Sequence, residues 1–403
     1  MVKNFESKPF IVGLFCGTAK PKPLDEYLNN FVDELSDLLQ NGFNFNNKIY
    51  IIKIHSFICD APARAYVKCI KSHGGYRACD KCTENGEFHG RVTYPGTNAR
   101  RRTDTSFLLQ EDEEHHIGTS PLLKLEIGMI SLFPIDYMHN VCLGVVRKML
   151  YLWVGINRNA NIKVKLHSRF KNLMSDHLIS LRPFVTVEFN RKPRGLLEIQ
   201  RWKATEFRTF LVYLGPLILK DILDLAVYEH FLLLNCAITI LLSKKLISKI
   251  GLDFTRNLLN IFISHSKKIY GVEFVVYNVH TLCHLSDEVE KYGPLDSFSA
   301  FPFENYFGEI KALVRSLHKP LQQICRRLHE ISFSDVQLNR EKSLIHFMQH
   351  TTGPLLSGLR ICKQYKKLVY KKCIFCISSY SLPDAYLLTK ENKVIRIDIT
   401  ISL

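Results

Sequence analysis

The apolar residues of this chain change rhythm along its length, and each rhythm predicts a different kind of element. Phe10-Ile-Val-Gly-Leu-Phe-Cys16 is a short, nearly continuous apolar run. The Gly-Thr-Ala-Lys-Pro-Lys-Pro stretch after it breaks the chain, so the run reads as a strand. From Leu24 to Leu39, the residues Leu28, Phe31, Val32, Leu35, Leu38 and Leu39 recur at intervals of three and four with acidic residues opposite them, which predicts an amphipathic helix. After a turn at Asn41-Gly42, the segment from Lys48 to Ile54 is rich in β-branched residues. It continues through Phe57-Ile58-Cys59 and reads as a buried strand ending at Asp60. Residues 62–130 are loop-rich and basic, with Arg100, Arg101 and Arg102 adjacent and His115-His116 behind an acidic run. Helical periodicity dominates from Asp136 to Lys267, as in Val141, Leu143, Val145, Val146, Met149, Leu150 and Trp153. One more helix is expected over 301–318, and the alternation over 366–403 predicts short strands.

Composition narrows the class. The chain has 403 residues, 46% hydrophobic and 23% charged, enough to bury at least one large core. Its net charge of +16 and pI near 9.2 favour a polyanionic partner, either nucleic acid or an anionic membrane surface. The longest mainly apolar run, Phe231 to Leu242, is shorter than the roughly 20 residues a bilayer crossing needs, so a buried core helix and no membrane are expected. The first residues show no basic stretch followed by an apolar one, so no secretory signal is expected and the compartment should be reducing. Twelve cysteines there read as buried thiols unless their spacing suggests a metal. Two pairs have that spacing. In Cys373-Ile-Phe-Cys376 the intervening residues suit a buried strand and no histidine pair follows, so these read as core cysteines.

Three local patterns carry chemistry. Cys79-Asp80-Lys81-Cys82 lies between Gly74-Gly75-Tyr76 and Asn85-Gly86, and two thiolates on a tight turn can share a tetrahedral zinc. A thioredoxin-like redox pair would sit between a strand and a helix, which is not the pattern here. His280-Thr-Leu-Cys-His284 places two imidazoles on one helix face, able to complete a Cys2His2 site, although two unrelated core or surface histidines fit the same spacing. Thr281 stands where a zinc protease has its glutamate base. The third pattern is Phe301-Pro-Phe-Glu304-Asn-Tyr-Phe307-Gly-Glu-Ile310-Lys311-Ala-Leu-Val314-Arg315. Phe303, Phe307, Ile310 and Val314 form an apolar stripe bordered by Glu304. Most helix glutamates are merely solvated, but one wedged among phenylalanines calls for a metal or cation. Lys311 and Arg315 lie further along, placed to meet phosphates.

The strings ICDAPARA, GYRACDKC, FPIDYMHNVCLGVV, NVHTLCHL, GPLDSFSAFPFENYFGEIKALVR and KPLQQ resemble the CACTA (En/Spm-like) DDE transposases and their animal relatives over residues 9–330. The resemblance implies an α/β fold with a partial RNase H-like core, a large mainly α-helical insertion and a small β-rich C-terminal segment. The corresponding divisions are 1–60, 61–300, 301–330 and 331–403. It also implies that Asp60 is the second catalytic aspartate and Glu304 the catalytic glutamate, together holding Mg²⁺ or Mn²⁺. Cys79, Cys82, His280 and His284 would bind a structural Zn²⁺, and Lys311 and Arg315 would contact DNA. A nuclear location follows, and a homo-oligomer stays open. The first cysteine lies 19 residues after Asp60, and Glu304 lies 20 after His284, so the zinc halves flank the carboxylates.

The family's first aspartate has no counterpart here, since the strands carrying it would precede Met1. Asp25 follows two prolines at a helix start and is a poor substitute, whereas Asp136 reads as a helix cap. With two of three carboxylates, little or no strand cleavage is expected. Two readings therefore stand: a transposase-derived DNA strand-transfer protein with an incomplete triad, or a host-recruited, non-catalytic DNA-binding or regulatory protein. A zinc enzyme with an open metal position ranks last, because four protein ligands close the site.

Overall fold

The computed structural model describes residues 8–156, 164–335, 344–351, 363–370, 373–389, 391, 393–398 and 400–402. Residues 157–163 of the expected helical stretch, several positions of the expected C-terminal strands and the first residues, where a secretory signal was sought, lie outside them. The fold is mixed α/β and helix-rich, and the sheets are small and antiparallel. Two compact units are present: Met1–Leu166 with Phe207–His329, and His167–Glu206 with Glu330–Leu403.

The amphipathic helix forms as expected, over Leu24–Asn41. Val32 is buried, and Leu28, Phe31, Leu35 and Leu39 pack against Ala65, Phe107, Leu122, Met129 and Phe133. Full burial of a side chain such as Val32 contributes about 1.5–3 kcal/mol, and the half-buried ones contribute less. Gly42, at φ 71°, ends the helix by donating its N–H to the Leu38 carbonyl.

The two expected N-terminal strands are corrected. Phe10 to Cys16 forms no strand, and Phe10, Val12 and Phe15 are exposed, because the described residues offer that run no partner edge. Only Lys48–Tyr50 of the second run is a strand, and it is exposed rather than buried. Asn46 and Asn47, at φ 51° and 60°, make a tight turn that folds it back antiparallel on Phe43–Phe45. Beyond Tyr50 the chain runs without a ladder until Phe57 donates its N–H to the Leu132 carbonyl and Cys59 forms a parallel bridge with Ile135. The sheet of an RNase H-like core is not seen among the described residues.

The expected helical block is present. A π-helical stretch, Met138–Val146, runs into Arg147–Val154. Leu225–Leu242 packs on Leu252–Tyr270. The Leu225–Leu242 helix reaches 18 residues with mean hydropathy 1.8, long and apolar enough to cross a membrane by length and composition alone. Half of it is buried in the protein, and it carries two buried polar groups in use there. His230 donates through Nε2 to the Phe262 carbonyl, and the Asn235 amide donates to the Leu211 carbonyl. Tyr277–His280 and the 3-10 turn Thr281–His284 lead into Leu285–Tyr292. The helix carrying Glu304 spans Phe301–Ala312, ending before the expected residue 318, and Pro320–Asp335 follows.

In the other unit, Lys363–Tyr370 is the central strand. Leu344–His350 pairs with it along one edge, and Cys373–Cys376 and Thr400–Ser402 pair with different parts of it. Cys376 is buried as expected, but Cys373 is exposed at the strand start, which corrects its reading as a core thiol.

Candidate metal centre and adjoining cavity

Folding brings Cys79, Cys82, His280 and His284 together, with one ligand atom from each within 4.8 Å of the others and all four side chains buried. Cys79 Sγ lies 3.6 Å from Cys82 Sγ and 3.4 Å from His284 Nε2, and Cys82 Sγ lies 3.3 Å from His280 Nε2. With Zn–S near 2.3 Å and Zn–N near 2.0 Å, a tetrahedral site has S–S and S–N edges of about 3.8 and 3.5 Å. The cluster therefore fits a metal such as zinc. His280 donates its other ring nitrogen, Nδ1, to the Gly96 carbonyl at 2.9 Å, which turns the Nε2 lone pair toward the thiols. Burial pushes the Cys79 thiol up, but the hydrogen bond from Cys82 and the charges of His284 and His280 outweigh it and hold the thiol well below its ordinary value. Cys79 is thus poised to bind as a thiolate, whereas Cys82, whose proton is shared with Cys79 in a buried place, is held well above its ordinary value until a metal displaces that proton.

The residues between the thiols anchor this knuckle on both sides. Asp80, 1% exposed, pairs with Arg64 Nε at 3.0 Å and Lys68 Nζ at 3.4 Å and accepts the Tyr277 hydroxyl at 3.0 Å. Lys81 pairs with Glu288 at 2.7 Å and donates to the Ile130 carbonyl. Arg102 donates through Nε to the carbonyls of both Cys79 and Cys82 and pairs with Asp112 at 2.6 Å. The basic triplet is therefore partly structural: Arg102 braces the turn that carries the two thiols, and Arg101 pairs with Asp287.

Arg64 also faces a second feature, a cavity of about 340 Å³ lined by Asp60, His73, Asp136, His139, Asn140, Arg147 and Tyr277 among others. Its guanidinium donates to the Pro134 carbonyl and the Tyr277 hydroxyl while holding Asp80, so one side chain joins the knuckle to the cavity wall. Asp60 caps the helix Ala61–Lys68, accepting the Ala63 N–H on Oδ1 at 2.7 Å. Among the described residues, Oδ2 receives no hydrogen bond. The Cys59–Ile135 bridge sets Asp60 beside Asp136.

Asp136 is fully engaged, as its reading as a cap predicts. It accepts the N–H groups of Met138, His139 and Ala300 and pairs with His139 Nδ1 at 2.6 Å. Its grip on Ala300 positions the start of the Phe301–Ala312 helix. One turn on, Glu304 Oε1 lies 3.9 Å from His139 Nε2. Burial lowers the His139 pKa, but the hydrogen bond and charge of Asp136, helped by Asp60 and Glu304, raise it above its ordinary value.

Two expectations about this helix are corrected. Glu304 is not wedged among phenylalanines: its side chain is 51% exposed, and Phe303 and Phe307 face solvent. Of the stripe Ile310 is buried and Val314 half-buried, and nothing among the described residues covers Phe303 and Phe307. Lys311 is exposed and lies over the Phe307 ring at 4.3 Å, and Arg315 is exposed. Neither forms a salt bridge with another described residue.

His139, Asp80, Lys81 and Arg64 went unread as site residues in the sequence. The opposite charges inside Cys-Asp-Lys-Cys were the available signal for two of them, but no local pattern announced partners some 200 positions away. Compared with known proteins, the chain matches no family model and none of the curated proteins.

Proposed function

We propose that this chain is a DNA transposase-derived protein of the CACTA type, a zinc-clamped scaffold that presents Asp60 and Glu304 to bound DNA in a nuclear setting. The observation that carries the reading is the Arg64 junction. The Cys2His2 cluster gathers segments far apart in sequence, and Arg64 ties its Asp80 to the wall of the cavity that holds Asp60 and faces Glu304 through His139. A clamp of that kind gives structural zinc a reason to exist beside the carboxylates.

In this reading Asp60, through its unbonded Oδ2, and Glu304 hold a divalent ion, Mg²⁺ or Mn²⁺. Such an ion supplies Lewis acidity at a scissile phosphate. Lys311 and Arg315 screen the neighbouring phosphates and fix the register of the duplex. Asp136 spends both oxygens on N–H groups and on His139, so it does not serve as a third carboxylate. That saturation favours the second reading, a host-recruited protein that binds DNA without cutting it.

Binding to a fluorescent duplex, measured by anisotropy across a salt series, tests the proposal. Changing Lys311 and Arg315 to Ala together should weaken binding and reduce the log–log salt slope by roughly 2, about 0.9 per lost phosphate contact. No duplex affinity in the parent chain, or an unchanged slope in the double variant, would sink it.

A further inference from the structure

The inference concerns His139 and deepens the reading of the cavity as a divalent-ion site, on which it rests. The ring cannot turn freely. Nδ1 is held at 2.6 Å by Asp136, whose carboxylate is fixed by three backbone N–H groups. An ionised carboxylate only accepts, so Nδ1 carries a proton, and a ring that gives up its other proton to an incoming ion offers the Nε2 lone pair on the opposite edge. Histidines that bind metals characteristically donate their other ring N–H to a carboxylate in this way.

Two further observations point to an ion there. Nε2 faces Glu304 Oε1 at 3.9 Å. Ligands about 2.1 Å from one ion stand roughly 3.0 Å apart at right angles and about 4.2 Å apart when opposite, so the pair lies between those spans, and a small movement of the exposed Glu304 side chain reaches either. Next in sequence, Asn140 lines the same cavity and is only 5% exposed. Its amide nitrogen is anchored to the Asn278 carbonyl at 3.2 Å and the Thr281 hydroxyl at 2.7 Å, and Oδ1 is left with no hydrogen-bond partner. A buried oxygen acceptor without a partner is costly unless a donor or cation meets it.

We propose that His139 is a ligand, through Nε2, of a single divalent ion shared with Asp60 and Glu304, and that Asp136 is the residue positioning it. One imidazole in an oxygen set suits Mn²⁺ and later first-row ions better than Mg²⁺. The site therefore prefers Mn²⁺ to Mg²⁺ more strongly than one built of carboxylates alone.

The test is electron paramagnetic resonance of the full chain, loaded with one equivalent of Zn²⁺, freed of excess and titrated with Mn²⁺. The expected result is one bound Mn²⁺ whose spin-echo decay carries ¹⁴N modulation, displaced poorly by Mg²⁺. His139→Ala should abolish the modulation and weaken binding at least tenfold. His139→Asp should restore affinity without the nitrogen signal, and His265→Ala, at an exposed position outside the cavity, should leave both unchanged. Bound Mn²⁺ that needs Asp60 and Glu304 but shows no ¹⁴N modulation overturns the inference and leaves the cavity reading standing. No Mn²⁺ binding, or binding indifferent to Asp60→Ala and Glu304→Ala, overturns both.

Discussion

Replacing Asp80 by Asn should destabilise the larger unit more than any surface change. The carboxylate is 1% exposed and is the counter-ion of two buried cations, Arg64 at 3.0 Å and Lys68 at 3.4 Å. Burial has already pulled the Lys68 pKa down to about 8, with Asp80 the main charge opposing it. Arg64 cannot shed its proton, and its hydrogen bonds to Pro134 and Tyr277 satisfy donors without neutralising charge. Removing one partner of a buried ion pair costs about 3–5 kcal/mol, and the orphaned arginine puts Asp80→Asn in that range. Urea unfolding at fixed Zn²⁺ concentration measures it, followed by the fluorescence of Trp153, which is buried in this unit. Trp202→Phe removes the one other tryptophan. Adding Lys68→Met to Asp80→Asn should recover part of the loss, because one uncompensated charge is then gone. A loss below about 1 kcal/mol for Asp80→Asn would refute the assignment of Asp80 as the electrostatic centre of the knuckle.

Two further outcomes follow from the geometry. His230 is buried, and burial lowers its pKa to about 4, so the neutral ring is the folded form. Its contribution is whole above about pH 6.5 and is lost as pH falls toward 4, by roughly 2 kcal/mol at pH 5. His230→Gln should flatten that part of the stability–pH curve, and an unchanged curve would contradict the account. Incubating the purified chain with supercoiled plasmid and Mn²⁺ should give binding with little or no nicking, since a histidine bound through one nitrogen cannot bridge two ions as a shared carboxylate does. Nicking that disappears in Asp60→Ala would show the carboxylate set to be sufficient.

Much of the candidate centre was legible in the sequence, and the limits of that legibility are physical. Cys79, Cys82, His280 and His284 have ligand spacing within each half, but spacing alone cannot pair halves about 200 residues apart, and that link came from the resemblance. Leu24–Asn41 was readable because apolar residues at three and four define a helix face locally. The runs at Phe10 and Ile51 misled because β-branched residues favour a strand only where another strand pairs with them. The Asn46-Asn47 turn, which sets the actual hairpin, was passed over for Asn41-Gly42, which ends a helix. The Phe303 and Phe307 stripe told which face is apolar but not what covers it. His139 escaped notice because its meaning comes from Asp60 and Glu304, neither of them near it in sequence.

On this reading one metal, held by two side chains from each of the two chain segments of the larger unit, fixes the arrangement around Asp60. X-ray absorption at the zinc edge of the purified protein tests it most directly. One zinc per chain is expected, with two sulfur neighbours near 2.3 Å and two imidazole nitrogens near 2.0 Å, changing to one sulfur in Cys79→Ser. A zinc-free protein that is fully folded, or a shell of three or four sulfurs, would contradict it.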